Sequence, residues 1–99
     1  MKPNYYLSVL DFSQMFNLAR GKRYLESQNK DMRLLKELEK RGVLKEYGDF
    51  RELFTQYFKW YETSWHKENG IEPTIGILTK NIQMVVMFKK PEVFKYKEL

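Results

Sequence analysis

The feature that most constrains the fold is a long amphipathic stretch rich in aromatic residues, DFRELFTQYFKWYETSWHKENG, at positions 49–70. At 3.6 residues per turn, its large apolar side chains share one broad face, and charged or polar side chains occupy the other. That apolar face consists of Phe50, Leu53, Phe54, Tyr57, Phe58, Tyr61, Ser64 and Trp65. Asp49 and Glu52 can cap the first turn, and Gly70 can close the last one in the left-handed conformation. The stretch predicts a helix near 50–69 at the centre of the protein.

The first part of the chain predicts one strand and one helix. Residues 4–10, NYYLSVL, alternate loosely and are typical of a short strand that is apolar on both faces. Asp11 followed by Gln14 repeats the start signal of the long helix, so a helix is predicted near 12–28. Gly21 leaves two alternatives open. It is either a kink within that helix or the turn of a helix–turn–helix.

A second amphipathic helix is predicted near 31–42, with Asn29 or Asp31 as its cap and Gly42 as its stop. Its apolar stripe consists of Met32, Leu34, Leu35 and Leu38. The phrase LLKELEKRGVL, residues 34–44, resembles the end of winged-helix domains, where such a helix leads into the wing. The chain departs from that pattern afterwards, because the long aromatic helix follows in place of a hairpin.

After position 70 the chain becomes rich in β-branched residues, and two interpretations compete. A β-hairpin would pair strands near 74–78 and 82–89, with Asn81 at the turn because asparagine tolerates positive φ. A helix from 79 to 89 fits the same short apolar run. With the hairpin and a last edge strand near 93–97, the sequence predicts an α+β fold. Three helices would pack on a small, mostly antiparallel sheet in a single domain spanning residues 1–99.

Several classes of protein are excluded by composition. The chain has no cysteine, which rules out disulfides, thiolate nucleophiles and cysteine-containing zinc sites. No apolar run approaches the roughly 20 residues that span a bilayer, and the N-terminus lacks the apolar core of a signal peptide. We therefore expect a cytoplasmic protein with no membrane partner.

No catalytic motif is present, so we predict a protein that is not an enzyme and needs no cofactor. His66 is the only histidine, and Glu62 four residues earlier supplies at most a second metal ligand, which does not make a metal site. The five glycines are too widely separated for a phosphate-binding loop, and no serine lies in a Gly-x-Ser-x-Gly elbow. Carboxylates are interspersed with lysines instead of clustered among apolar residues.

Positive charge is concentrated in one region. The formal net charge is +5, and the segment 20–45 holds nine basic against four acidic side chains, which accounts for the whole excess. Such a surface suits DNA or RNA, although a solvated helix face of a basic protein has the same composition. The nucleic-acid-binding residues predicted here are Arg20, Lys22, Arg23, Tyr24, Lys30, Arg33, Lys36, Lys40 and Arg41.

A protein partner is the alternative. Trp60 lies at the rim of the long helix's apolar face, and partly exposed aromatic residues are favoured at protein interfaces. In this interpretation Leu53, Trp60 and Lys67 contact the partner, and the protein is a binding module or an inhibitor of a host protein. A single alanine and a lysine excess over arginine are typical of an AT-rich genome. A phage- or plasmid-encoded accessory protein fits both interpretations, and the sequence leaves the oligomeric state open.

Overall fold

The computed structural model describes residues 4–45 and 47–88, and within these ranges the chain forms helices and no strand. The helices are α1 (Tyr5–Arg20), α2 (Gln28–Lys40), a 3-10 helix (Val43–Lys45), α3 (Phe50–Glu62), α4 (Trp65–Glu68), α5 (Ile75–Lys80) and α6 (Ile82–Phe88). The predicted α+β fold with a sheet is therefore wrong.

The predicted strand at 4–10 is the start of α1. The side chain of Asn4 accepts a hydrogen bond from the Leu7 N–H at 3.0 Å and caps the helix seven residues before the predicted start. The buried residues of α1 are Val9, Phe12 and Phe16, which are three and four positions apart. Tyr5 also packs against the core and lies four positions before Val9, so helical spacing extends back through the segment interpreted as a strand.

The predicted helix at 12–28 ends at Arg20. Gly21 adopts φ 71°, and its N–H donates to the Asn17 carbonyl at 2.8 Å, which closes α1. Residues 21–27 are not helical, so the second helix of the proposed helix–turn–helix does not form. The next helix begins at Gln28 because Ser27, rather than Asn29 or Asp31, supplies the cap.

Helices replace both predicted hairpin strands, at 74–78 and 82–89, over the residues that the structure describes. Thr74 caps α5, since its hydroxyl oxygen accepts from the Ile77 N–H at 3.1 Å. Asn81 has φ −115° and not the positive φ expected at a hairpin turn; it ends α5, and its carbonyl accepts from the Val85 N–H in α6. Buried residues in α5 and α6 are Ile75, Leu78, Ile82 and Val85, at helical spacing. The competing helix over 79–89 was nearer the outcome, and the predicted strand 93–97 lies outside the described residues.

The long aromatic helix forms, but it stops at Glu62. The Thr63 hydroxyl donates to the Trp60 carbonyl at 3.0 Å, and the Ser64 hydroxyl donates to the Tyr61 carbonyl at 2.8 Å. These side chains satisfy carbonyls that the next helical turn would have used, which favours a break. Ser64 then caps the short α4.

Helix α3 is at the centre of the core because α1 and α6 both pack against it. Phe12 of α1 contacts four rings, with centroid distances of 5.0 Å to Phe54, 4.9 Å to Tyr24, 5.2 Å to Phe58 and 6.1 Å to Tyr57. Two buried tyrosines fix the loop before α5, since the Tyr57 and Tyr61 hydroxyls each donate to a loop carbonyl at 2.7 Å. The helices that carry the charged surface are thereby held in place by an aromatic core.

Candidate nucleic-acid interface

Five of the eight predicted cations form two groups, and the two cations of the first group already share one carboxylate of the protein. Arg20 Nε lies 2.9 Å from Glu72 Oε1, and Lys22 Nζ pairs with the other oxygen of the same carboxylate. The Arg20 guanidinium also lies 5.5 Å from the centre of the Tyr61 ring. Hydrogen bonds from Lys22 and Arg20 lower the pKa of Glu72. This cluster ties the end of α1 to the loop before α5, so the densest point of charge in the sequence has a structural role.

Tyr24 belongs to the core as much as to the surface. Its ring packs against Phe12 and against Phe16, whose centroid is 5.1 Å away. Its hydroxyl donates to Asp31 Oδ2 at 2.8 Å and accepts from the Ile75 N–H at 3.1 Å. Burial raises the pKa of Tyr24 well above its ordinary value. The ring is consequently fixed and cannot rotate outward to stack on a base.

The second group of cations lies on the outer face of α2. Arg33, Lys36 and Lys40 are exposed and are spaced three and four residues apart, which places them in one row along the helix. Within the described ranges, none of the three forms an ion pair or a side-chain hydrogen bond. Glu39 is directed away from this row, because its carboxylate accepts a hydrogen bond from the Tyr5 hydroxyl. We call Arg33, Lys36 and Lys40 the α2 cation row.

Three other predicted cations flank this row. Lys30 and Arg41 are exposed at the two ends of α2, on the side that also carries Glu37. Arg23 is exposed in the loop between α1 and α2. All three remain accessible. Glu37, four residues after Arg33 and three before Lys40, lies beside the α2 cation row but forms no ion pair with it within the described residues.

The predicted partner-binding residues are mostly internal. Leu53 is 0% exposed and Trp60 is 6% exposed, so neither presents a surface to a partner. Lys67 is exposed and pairs with Glu62, which leaves Glu62 unavailable as a ligand beside His66. The tryptophan that does reach the surface is Trp65, at 62% exposure.

One feature of the surface was missed by the sequence analysis. A recess of about 580 Å³ lies between the C-terminal half of α1 and the start of α2. Its lining residues are Ser13, Gln14, Asn17, Leu18, Arg23, Tyr24 and Gln28. Gln14 and Asn17 are three residues apart, so their position on the same side of a helix could have been predicted from the sequence. The prediction of a single helix from 12 to 28 hid their proximity to Gln28, which depends on the chain reversing at Gly21.

Neither a metal centre nor a membrane span is found in the part of the chain that the structure describes. No three histidine, aspartate or glutamate side chains gather there in a way that would hold a metal ion. None of its helices is both long and apolar enough to cross a bilayer. No protein-family model matches the chain, and neither does any curated protein or solved structure.

Proposed function

We propose that this chain is a non-catalytic, cytoplasmic accessory protein that binds nucleic acid by docking phosphates on the outer face of α2. The observation that carries this proposal is the α2 cation row, three exposed cations without an intramolecular partner in the described ranges. Cations that the fold does not use are available to neutralise phosphates, and the release of counterions then drives binding.

The dimensions of the α2 cation row suit a phosphate backbone. Arg33 and Lys40 are seven residues apart, which corresponds to about 10 Å along a helix. Three cations within this length can neutralise up to three phosphates of one strand, and this number sets the expected salt dependence. Phosphate contacts carry little sequence information, and the proposal therefore predicts affinity without strong base specificity from this surface alone.

The test is the salt dependence of binding. Fluorescence anisotropy on labelled single- and double-stranded oligonucleotides, from 50 to 300 mM salt, gives the slope of log affinity against log salt. The variant Arg33→Gln/Lys36→Gln/Lys40→Gln should flatten this slope by about 2, since each phosphate contact contributes roughly 0.7–0.9. Glutamine has a helix propensity close to that of arginine and lysine, and because it is neutral it does not repel the phosphates.

A matched control removes the same charge elsewhere. Arg51, Lys59 and Lys80 are also exposed, and they likewise comprise one arginine and two lysines. The variant with all three replaced by glutamine should retain most of the salt slope. An equal loss of slope in both triple variants, or no binding to either oligonucleotide at 50 mM salt, would contradict the proposal. Reversal of Arg20 and Lys22 is a poor test, because it would place new carboxylates beside Glu72.

A protein partner is the second candidate, now with different residues. Leu18 and Leu25 are 85% and 80% exposed, and the apolar surface of a partner would remove both side chains from water. In that role, Leu18→Ser with Leu25→Ser would abolish partner binding, whereas the glutamine triple on α2 would leave it unchanged.

A further inference from the structure

We propose that the recess between α1 and α2 is a subsite for one unstacked base of a single-stranded nucleic acid, with Arg23 holding an adjacent phosphate. This inference rests on the proposed function and specifies which form of nucleic acid the protein prefers.

The recess offers the chemistry that reads the edge of a base. Gln14, Asn17 and Gln28 each present a side-chain amide, which combines donor and acceptor groups. None of these amides makes a side-chain hydrogen bond within the described part of the chain, and all three residues are exposed. Such amides pair with the edges of unstacked bases. The volume of about 580 Å³ falls within the range of small-molecule sites, roughly 300–1,000 Å³.

The wall of the recess is rigid. Tyr24 is held at its hydroxyl by Asp31 and the Ile75 N–H, and the Ser13 hydroxyl donates to the Val9 carbonyl at 3.0 Å. Leu18, at the rim, is 85% exposed and offers an apolar surface for the face of a base. A fixed wall with free amides above it reduces the entropy that is lost when a base binds.

The concave shape favours a single strand over a duplex. Base edges inside a duplex lie in grooves and are read by protruding elements such as a helix or a β-ribbon. The amides here line a depression, so a base reaches them only after leaving the stack. Single strands present such bases at little cost.

Along α2, the recess is followed by a second recess that two residues of the α2 cation row line. Gln28 lines the recess, and Met32, one helical turn further along α2, lines a second recess together with Arg33 and Lys36. Residues four apart share a side of a helix, so the two recesses follow one another along the same side of α2. A strand with one base in the first recess can therefore continue onto the phosphate-docking surface.

The experiment compares two 12-nucleotide single strands of equal charge, one of thymidines and one entirely abasic. The wild-type protein should bind the thymidine strand about tenfold more tightly, since a stacked base contributes roughly 1–3 kcal/mol, and 1.4 kcal/mol corresponds to tenfold. In Gln14→Ala/Gln28→Ala this ratio should fall close to one, whereas the control Gln83→Ala, an exposed glutamine on α6, should keep it. Arg23→Gln should weaken binding to both strands. Circular dichroism verifies that each variant is folded.

The outcomes separate this inference from the proposed function. A thymidine-to-abasic ratio that survives in Gln14→Ala/Gln28→Ala, or that is already one in the wild type, overturns the subsite. If the α2 triple still flattens the salt slope in that case, phosphate docking stands without the subsite. If the wild type binds neither single strand at 50 mM salt but binds a duplex, only the subsite is overturned; if it does not bind the duplex either, both proposals are overturned.

Discussion

Asp31 is the residue whose environment is least usual for its type, because its carboxylate is buried. Asp31 is 1% exposed, and the Tyr24 hydroxyl donates to it at 2.8 Å. Burial raises the pKa of Asp31, and this effect outweighs the hydrogen bond from Tyr24, which acts to lower it. The folded state therefore holds the proton more tightly than the unfolded state does. The bound proton therefore stabilises the folded protein at low pH. As pH rises from the ordinary aspartate pKa through the raised pKa of folded Asp31, this contribution to the free energy of unfolding is lost. Above the raised pKa, Asp31 causes no further change with pH.

Replacement of Asp31 by asparagine should remove this pH-dependent loss. Whatever the substitution itself costs in packing, the stability of Asp31→Asn relative to wild type should increase as pH rises from about 3 to 7. Urea unfolding at a series of pH values measures the difference. A constant difference across that range would mean that Asp31 has the same pKa in both states.

Glu72 provides an internal control of opposite sign. Its pKa is lowered by Lys22 and Arg20, so its contribution to stability is present above its ordinary range and is lost as pH falls through the folded pKa. Stability of Glu72→Gln relative to wild type should therefore improve toward low pH. The magnitude should be small, because this carboxylate is 31% exposed.

At the scale of elements, helix ends with clear side-chain signals were predictable. Asp49 caps α3 as expected, accepting from the Glu52 N–H at 3.0 Å. The Glu52 carboxylate accepts from the N–H of Gly48 at 2.9 Å, one residue before the predicted N–H of Asp49. The stretch at 31–42 formed a helix that begins three residues earlier. These segments are long enough for a period of 3.6 to be unambiguous.

The short apolar segments were not predictable in the same way. Residues 4–10 and 74–89 are apolar on several sides, so a period of 2 and a period of 3.6 fit them about equally well. Two caps decide the outcome, Asn4 and Thr74, together with packing on α3. The candidate site is likewise only partly predictable from the sequence. The α2 cation row follows from helical spacing. The pairing of Arg20 with Glu72 joins residues 52 positions apart, and no local sequence pattern predicts it.

The cap at Thr74 can be tested directly. Thr74→Ala should lower the free energy of unfolding by about 1 kcal/mol, because the Ile77 N–H at the start of α5 loses its acceptor. Thr55→Ala is the matched control: that hydroxyl donates to the Arg51 carbonyl at 2.9 Å on the exposed side of α3. Its loss should be nearly neutral, since alanine is the better helix former. Denaturant unfolding distinguishes the two, and equal effects would argue against a capping role.

At the scale of the whole molecule, one aromatic core joins most of the helices. The buried cluster includes residues of α1, α2, α3, α5 and α6, whereas α4 contributes none. Trp60 lies inside this cluster, and Trp65 begins α4 at the surface. The two tryptophans therefore report on different parts of the protein, the shared core and its least buried helix.

Unfolding should accordingly be cooperative when it is followed from within the core. In Trp65→Phe, the remaining Trp60 should emit at short wavelength and be protected from quenchers. Its urea transition should coincide with loss of helical circular dichroism at 222 nm, as expected for a two-state domain. In Trp60→Phe, the remaining Trp65 should show solvent-like emission in the folded protein. Because five helices share the cluster around α3, separation of α1 and α2 from α5 and α6 would expose Trp60 before helicity is lost. A fluorescence midpoint well below the circular dichroism midpoint would therefore show that the chain unfolds in two parts.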